Sequence, residues 1–167
     1  MSSPSSDPRP AALAPLARAL GRIPTGLYVV STARGPERLG FVGSLLTQVG
    51  LTPPVVCVAI GKSRAHLTAV RAAGHFGVSI LDAASQGAMK AFFKPPAPGT
   101  SAFDALPTHA GPLGSPLLSE ALAWLECRYS GEHELADHVV VFGTVEAGGL
   151  VREGEPSIHL RKNGLDY

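Results

Sequence analysis

The sequence predicts a mainly β protein: a β-barrel with a few peripheral helices. Three observations carry that reading. Runs rich in β-branched and aromatic residues recur at Leu27–Thr32, Val55–Ile60, Phe76–Leu81 and Val139–Ala147. Several of them are joined by turn signals rather than helices, and helical spacing is confined to short stretches. The 167 residues are 45% apolar and 16% charged, which suits one closed core and would be cramped for two domains.

The elements follow in order. Residues 1–10, rich in Ser and Pro, read as a disordered leader, and 11–167 as a single domain. Ala11–Gly21 places Leu13, Leu16, Ala17 and Leu20 at helical spacing and stops at glycine. Leu27–Thr32 is a strand, followed by a Gly35-Pro36 turn. Phe41–Leu51 reads as one extended segment, stopped at Pro53-Pro54. Val55–Ile60 is apolar on both faces and predicts a buried central strand. Ser63–Ala73 is a helix with Ser63 as its N-cap, Leu67, Val70 and Ala73 on one face, and Gly74 as its stop. Phe76–Leu81 is a strand and Ala83–Phe93 a helix. Lys94–Pro116, crowded with proline and glycine, reads as a long surface loop of the functional or mobile kind. Ala121–Tyr129 and Val139–Ala147 are long strands joined through Gly131–His138.

Composition excludes several classes. A net charge of +1 without a Lys/Arg run argues against a nucleic-acid partner. No apolar run approaches the roughly 18 residues of a membrane helix, and Met1–Pro10 lacks the order of a signal peptide. Cys57 and Cys127 each sit in an apolar run, which reads as buried free thiols in a reducing, cytoplasmic setting.

Two stretches invite chemistry. Gly61-Lys62-Ser63 ends like a phosphate loop, but Val56 stands where that pattern needs its first glycine. What remains is a strand, a glycine turn and a helix start carrying Lys62, Ser63, Arg64 and His66. Free amides, the helix dipole and added cations favour an anion there; an ordinary capped helix with solvated basic residues is the plain alternative. His133 to His138 tempts a metal reading, yet Asp137 occupies the position where the zinc-protease pattern needs histidine, so no metal is expected. No nucleophile elbow or paired carboxylates appear, and neither cysteine adjoins a base. A bound cofactor carrying the chemistry suits this chain better.

Several segments, taken in order, resemble the flavin-reductase-like family of FMN-binding split barrels. They are Ile23–Val30 (IPTGLYVV), Gly40–Pro54 (GFVGSLLTQVGLTPP), Val58–Phe76 (VAIGKSRAHLTAVRAAGHF), Phe93-Lys94 with Phe103, Ala123–Cys127, Ala136-Asp137-His138 and Phe142–Val145. The opening and the Leu46–Val49 stretch are most similar to the branch found in rubredoxin-linked and diiron electron-transfer flavoproteins. The resemblance implies a homodimeric split barrel that binds FMN, or FAD, near the subunit interface. It implies that Phe41, Val42, Gly43, Ser44, Leu45 and Thr47 line the flavin ring, largely through backbone. Gly61, Lys62, Ser63, Arg64 and His66 would take the phosphate, with Lys94 reaching in from its loop; the C-terminal Leu160–Tyr167 departs from the family's usual ending, and Tyr167 either caps the flavin or frays. Asp137 and His138 would lie by the flavin and nicotinamide as the catalytic pair. The usual Thr-Ala-Ser-Ser run is here Val42-Gly43-Ser44-Leu45, the usual Thr of the phosphate helix is His66, and an Asn before the Lys is Gly61.

The function so implied is an NAD(P)H-dependent flavin reductase. Hydride passes from nicotinamide C4, of NADH or NADPH, to flavin N5, and the electrons go on to a partner oxygenase or acceptor. The rivals are a non-enzymatic flavin or haem binder on the same barrel and an interaction protein that has lost its ligand.

Overall fold

Two residues, Ser44 and Leu45, separate two strands that lie at opposite edges of one sheet, and that link decides the architecture. The computed structural model describes residues 9–165; the expected leader up to residue 8 and Tyr167 lie outside them. Along the chain run α1 (Arg9–Leu20), β1 (Thr25–Gly26), β2 (Tyr28–Arg34), β3 (Glu37–Gly43), β4 (Leu46–Leu51), β5 (Pro54–Gly61) and α2 (Ala65–Ala73). Then come β6 (His75–Ile80), β7 (Thr108–Ala110), β8 (Pro116–Leu118), β9 (Ala123–Leu135), β10 (His138–Leu150) and β11 (Ile158–His159).

Two compact units result. One holds the described residues up to Thr25 and those from Ile158 to Leu165. In it α1 stops at Gly21, whose bare Cα faces the Arg161 carbonyl where a Cβ would collide. Arg22 donates to that same carbonyl at 3.0 Å, and the Gly164 amide donates to Ala17 at 2.9 Å.

The other unit, Gly26–Ser157, carries a seven-stranded antiparallel sheet in the order β3-β2-β6-β9-β10-β5-β4. Laid flat, six strand spacings would put β3 and β4 about 29 Å apart. The link from Gly43 to Leu46 reaches at most about 11 Å. The sheet must therefore curl until its edges meet, a barrel with one open seam: a split barrel. Its inner face buries Val30, Phe41, Val58, Ile60, Phe76, Val78 and Val141, and α2 adds Leu67 and Val70 to the same core. Gly143 is required there, because a Cβ would stand 2.5 Å from the Phe76 ring.

Several expectations need correction. Phe41–Leu51 is two strands, since the chain changes sheet edge at Ser44–Leu45. β5 is not buried on both faces: Val56, Val58 and Ile60 point into the core, while Val55, Cys57, Ala59 and Gly61 are half-buried on the outer face. Cys57 is therefore no core thiol. Cys127 is buried, and burial pushes its thiol up to about 12. Helix α2 begins at Ala65 after Arg64, and Ser63 supplies no side-chain cap, whereas Gly74 closes the helix at φ 75° as expected. The expected helix at 83–93 is a 3₁₀ turn, Gln86–Phe92, with Ala88, Met89 and Phe92 on a second small core. The 94–116 loop is not featureless: Ser101 and Asp104 form a capping box over the 3₁₀ turn Ala102–Ala105, and β7 pairs with β8. Strands β9 and β10 run on to a two-residue turn, Ala136-Asp137, with Ala136 at φ 47°.

The segment after β10 is fastened by Arg152, which reaches Asp82 Oδ1 at 2.6 Å and Oδ2 at 2.7 Å; Ser85 Oγ also donates to Oδ1, at 2.7 Å. The Arg152 guanidinium, then Ser85, hold the Asp82 carboxyl well below the usual carboxylate range. A carboxylate depressed in the folded state stabilises above its unfolded pKa of about 3.9 and loses that contribution as pH falls below it. The melting temperatures of wild type and Arg152→Gln are accordingly expected to differ most above about pH 4.5 and to converge toward pH 2. A gap that stays constant over that range would assign the Arg152 contribution to packing. Among the described residues no helix is long and apolar enough to cross a membrane.

Candidate functional site

The pairing of β5 with β10 sets His138 opposite Gly61 and Val140 opposite Ala59, and the Lys62 amide donates to the Asp137 carbonyl at 3.0 Å. The glycine turn before α2 and the turn of the β9–β10 hairpin thus share one corner of the barrel. Asp137 Oδ1 lies 2.8 Å from His138 Nδ1, and this bond is the main reason the Asp137 carboxyl sits below its ordinary value. Since a carboxylate accepts, Nδ1 carries the proton and the imidazole is fixed in orientation. From that corner a half-buried outer face runs down the sheet through Val140 and Phe142, with Ala59 and Cys57 beside them. Thr47 stands opposite Cys57 in β4 and so lies on the same face.

A second group forms at the start of α2. The Arg64 guanidinium lies 5.8 Å from the centre of the Phe41 ring, and the His66 ring centre is 4.9 Å from it. His66 Nε2 donates to the Gly40 carbonyl at 3.0 Å, and burial lowers the imidazole pKa, so the ring is neutral. Its Nδ1 is then a buried acceptor with no donor among the described residues. Among the described residues the amides of Ser63, Ala65 and His66 donate to no backbone carbonyl. Lys62 is engaged, its ammonium 2.6 Å from Glu134 Oε1.

The remaining residues named from sequence are more scattered. Val42 and Gly43 pair with Val29 and Tyr28 inside the β2–β3 ladder. Ser44 is buried, and the Leu45 carbonyl accepts from the Ala59 amide at 2.9 Å, which pins the seam to β5. Lys94 is exposed in its loop. Tyr167 lies outside the described residues. Sequence reasoning missed Gly40, whose carbonyl orients His66, and Glu134. Only the β9–β10 register brings Glu134 to Lys62, and no local motif announces it.

Residues 20–164 match the model of the flavin reductase like domain. The chain belongs to the flavin-reductase-like family. A diflavin flavoprotein of Synechocystis sp. is 34% identical over 154 residues, covering 91% of this chain and 27% of that protein, so the chain spans about a quarter of such relatives. The NADH:FAD oxidoreductase of Streptomyces globisporus C-1027 superposes with a TM-score of 0.81 at 30% identity, covering 96% of this chain and 95% of that one. That enzyme has also been solved with NAD and FAD fragments. A homologue of nitrilotriacetate monooxygenase component B from Mycobacterium thermoresistibile gives a TM-score of 0.81 at 28% identity, covering 90% of this chain and 83% of that one.

The donors in this flavin-reductase-like domain fit a flavin nucleotide. Cations and unsatisfied amides at the α2 start suit a phosphate, and the orphaned His66 Nδ1 suits a hydroxyl donor such as those of a ribityl chain.

Proposed function

We propose that this chain binds a flavin nucleotide, FMN or FAD, and is a flavin reductase that takes electrons from NADH or NADPH and passes them to a partner oxygenase or other acceptor. The observation that carries the reading is the shared corner, where Lys62 and the free amides of α2 stand beside the Asp137–His138 pair at the end of an apolar face. When bound, the flavin supplies the ring that accepts hydride. The chain's own residues anchor, orient and exclude water. Lys62, Ser63 and Arg64 hold the phosphate, and Phe41 supports the Arg64 guanidinium. His66 accepts a ribityl hydroxyl. The backbone around Val42, Gly43, Ser44 and Leu45, with Thr47, borders the ring. His138, oriented by Asp137, seats the nicotinamide carboxamide. Val140, Phe142 and Cys57 leave an apolar face that a second copy of the chain covers in a homodimer, from which Lys94 reaches the phosphate.

Support comes from the family, from a relative solved with NAD and FAD fragments, and from a relative that is a monooxygenase component homologue. Purified protein loaded with FMN is expected to show flavin absorbance that bleaches on anaerobic addition of NADH or NADPH. Colourless protein that takes up no flavin would overturn the reading, and bound flavin that neither donor bleaches would reduce it to a carrier. The phosphate anchor is tested separately. Charge-assisted hydrogen bonds are worth about 1.5–3 kcal/mol, so Lys62→Ala is expected to weaken FMN about tenfold or more and to leave riboflavin unchanged in a binding titration. Equal losses for both ligands would put the phosphate elsewhere.

A further inference from the structure

Glu134 stands on β9 opposite Val139, and its carboxylate occupies the Lys62 ammonium at 2.6 Å. The arm that carries it is fixed from below. Two residues earlier on the same face, Glu132 takes Arg71 of α2 through two bonds, at 2.9 and 2.6 Å, and accepts the Tyr129 hydroxyl at 3.0 Å. Glu134 is thereby held over Lys62 by a hairpin arm tied to α2. The pair itself is open to water, with side chains 38% and 71% exposed, so it costs little to separate. Lys62 also keeps the Glu134 carboxyl below its ordinary pKa, so it remains charged at neutral pH.

We propose that Glu134 is a competing counter-ion for Lys62: the phosphate of an incoming flavin engages Lys62 only by displacing Glu134, so this carboxylate sets how tightly phosphorylated flavins are held. The proposal rests on the reading that Lys62 takes the flavin phosphate. Three physical consequences follow from the geometry. A phosphate gains only the difference between its own bond to Lys62 and the one it breaks. The displaced carboxylate stays on a fixed arm nearby, where like charge opposes the phosphate. Riboflavin, which lacks the phosphate, does not meet the competition. The result is a flavin that exchanges readily, which suits a protein that hands reduced flavin onward.

The test compares FMN and riboflavin binding to wild type, Glu134→Gln, Lys62→Ala and the double variant. Glutamine keeps the shape and removes the charge. Glu134→Gln is expected to bind FMN about two- to fivefold more tightly, the range for a partly exposed charge pair, mostly through slower release, with riboflavin unchanged. That gain is expected to shrink in the Lys62→Ala background to the part that direct repulsion between carboxylate and phosphate leaves. An unchanged FMN affinity in Glu134→Gln, beside a clear loss in Lys62→Ala, overturns the counter-ion role and leaves the phosphate site standing. A gain undiminished without Lys62 also overturns it, because the carboxylate would then act on the phosphate alone. If Lys62→Ala leaves FMN affinity intact, the phosphate reading fails and takes this proposal with it.

Discussion

Glu126→Leu is expected to cost the fold about 2–6 kcal/mol, the penalty for leaving two amides, one buried and one half-buried, without acceptors. Glu126 of β9 is fully buried, its Oε1 accepting the Ser115 amide at 2.8 Å and its Oε2 the Leu113 amide at 2.7 Å. The loop they belong to closes so tightly on the carboxylate that Gly111 has no room for a Cβ. His75 Nδ1 lies 3.8 Å from Oε1 and 2.8 Å from Ser115 Oγ, which completes a buried polar cluster. Leucine fills the volume and satisfies neither amide. For a chain of this size each kcal/mol moves the melting temperature by about 2–4 °C, so a fall on the order of 10 °C is expected. Glu126→Gln keeps one acceptor and is expected to lose about half as much. A melt within about 2 °C of wild type for Glu126→Leu would show that the loop finds other partners.

The second large effect belongs to His138. His138→Ala is expected to slow anaerobic flavin reduction by roughly ten- to a hundredfold, the range of a lost positioning contact. FMN affinity is expected to change little, because Lys62, Ser63 and Arg64 hold the phosphate and the His138 ring is not among its donors. Stopped-flow absorbance at the flavin band reads the rate, and a thermal melt reads the fold. If His138 served only to satisfy groups at the strand end, the variant would lose about 1 kcal/mol of stability and keep its rate. Asp137→Asn separates orientation from presence: it keeps an acceptor for Nδ1 but removes the charge, and an intermediate rate is the expected outcome.

Much of this was legible in the sequence because it is local. Alternating and β-branched runs predicted the strands at 27–32, 55–60 and 76–81 to within two residues. The glycine at 74 stopped its helix because its φ of 75° favours that residue. What escaped is set by register. The break at Ser44–Leu45 carries no proline or glycine pair to announce it, yet there the chain leaves one sheet edge for the other. Val55–Ile60 looks uniformly apolar, and composition cannot distinguish a strand buried on both sides from one whose outer face meets a ligand or a second chain. At the candidate site the cations of 62–66 and the Asp137-His138 pair could be named from sequence. Their meeting at one corner depends on the Gly61–His138 pairing, as the Lys62–Glu134 pair depends on the fold of the hairpin arm. Ser63 looked like a cap because hydroxyls favour that position, but the helix starts one residue too late for it.

The strand order carries a consequence for how the chain acquires its structure. β2, β3 and β6 form one ribbon and β4 with β5 another, and no ladder joins the two directly. β9 extends the first ribbon, β10 extends the second, and the hairpin they make is the bridge. Up to Ile80 the chain contains two ribbons with no strand pairing between them, only α2 packing across both. Closure waits for the 123–150 hairpin, which carries the only pairings that join the two ribbons among the described residues. Those pairings join residues far apart in sequence, β5 with β10 above all, and such topologies fold slowly. The hairpin that positions Asp137 and His138 is therefore also the clasp that completes the barrel, and the protein cannot finish folding without assembling that corner of its site.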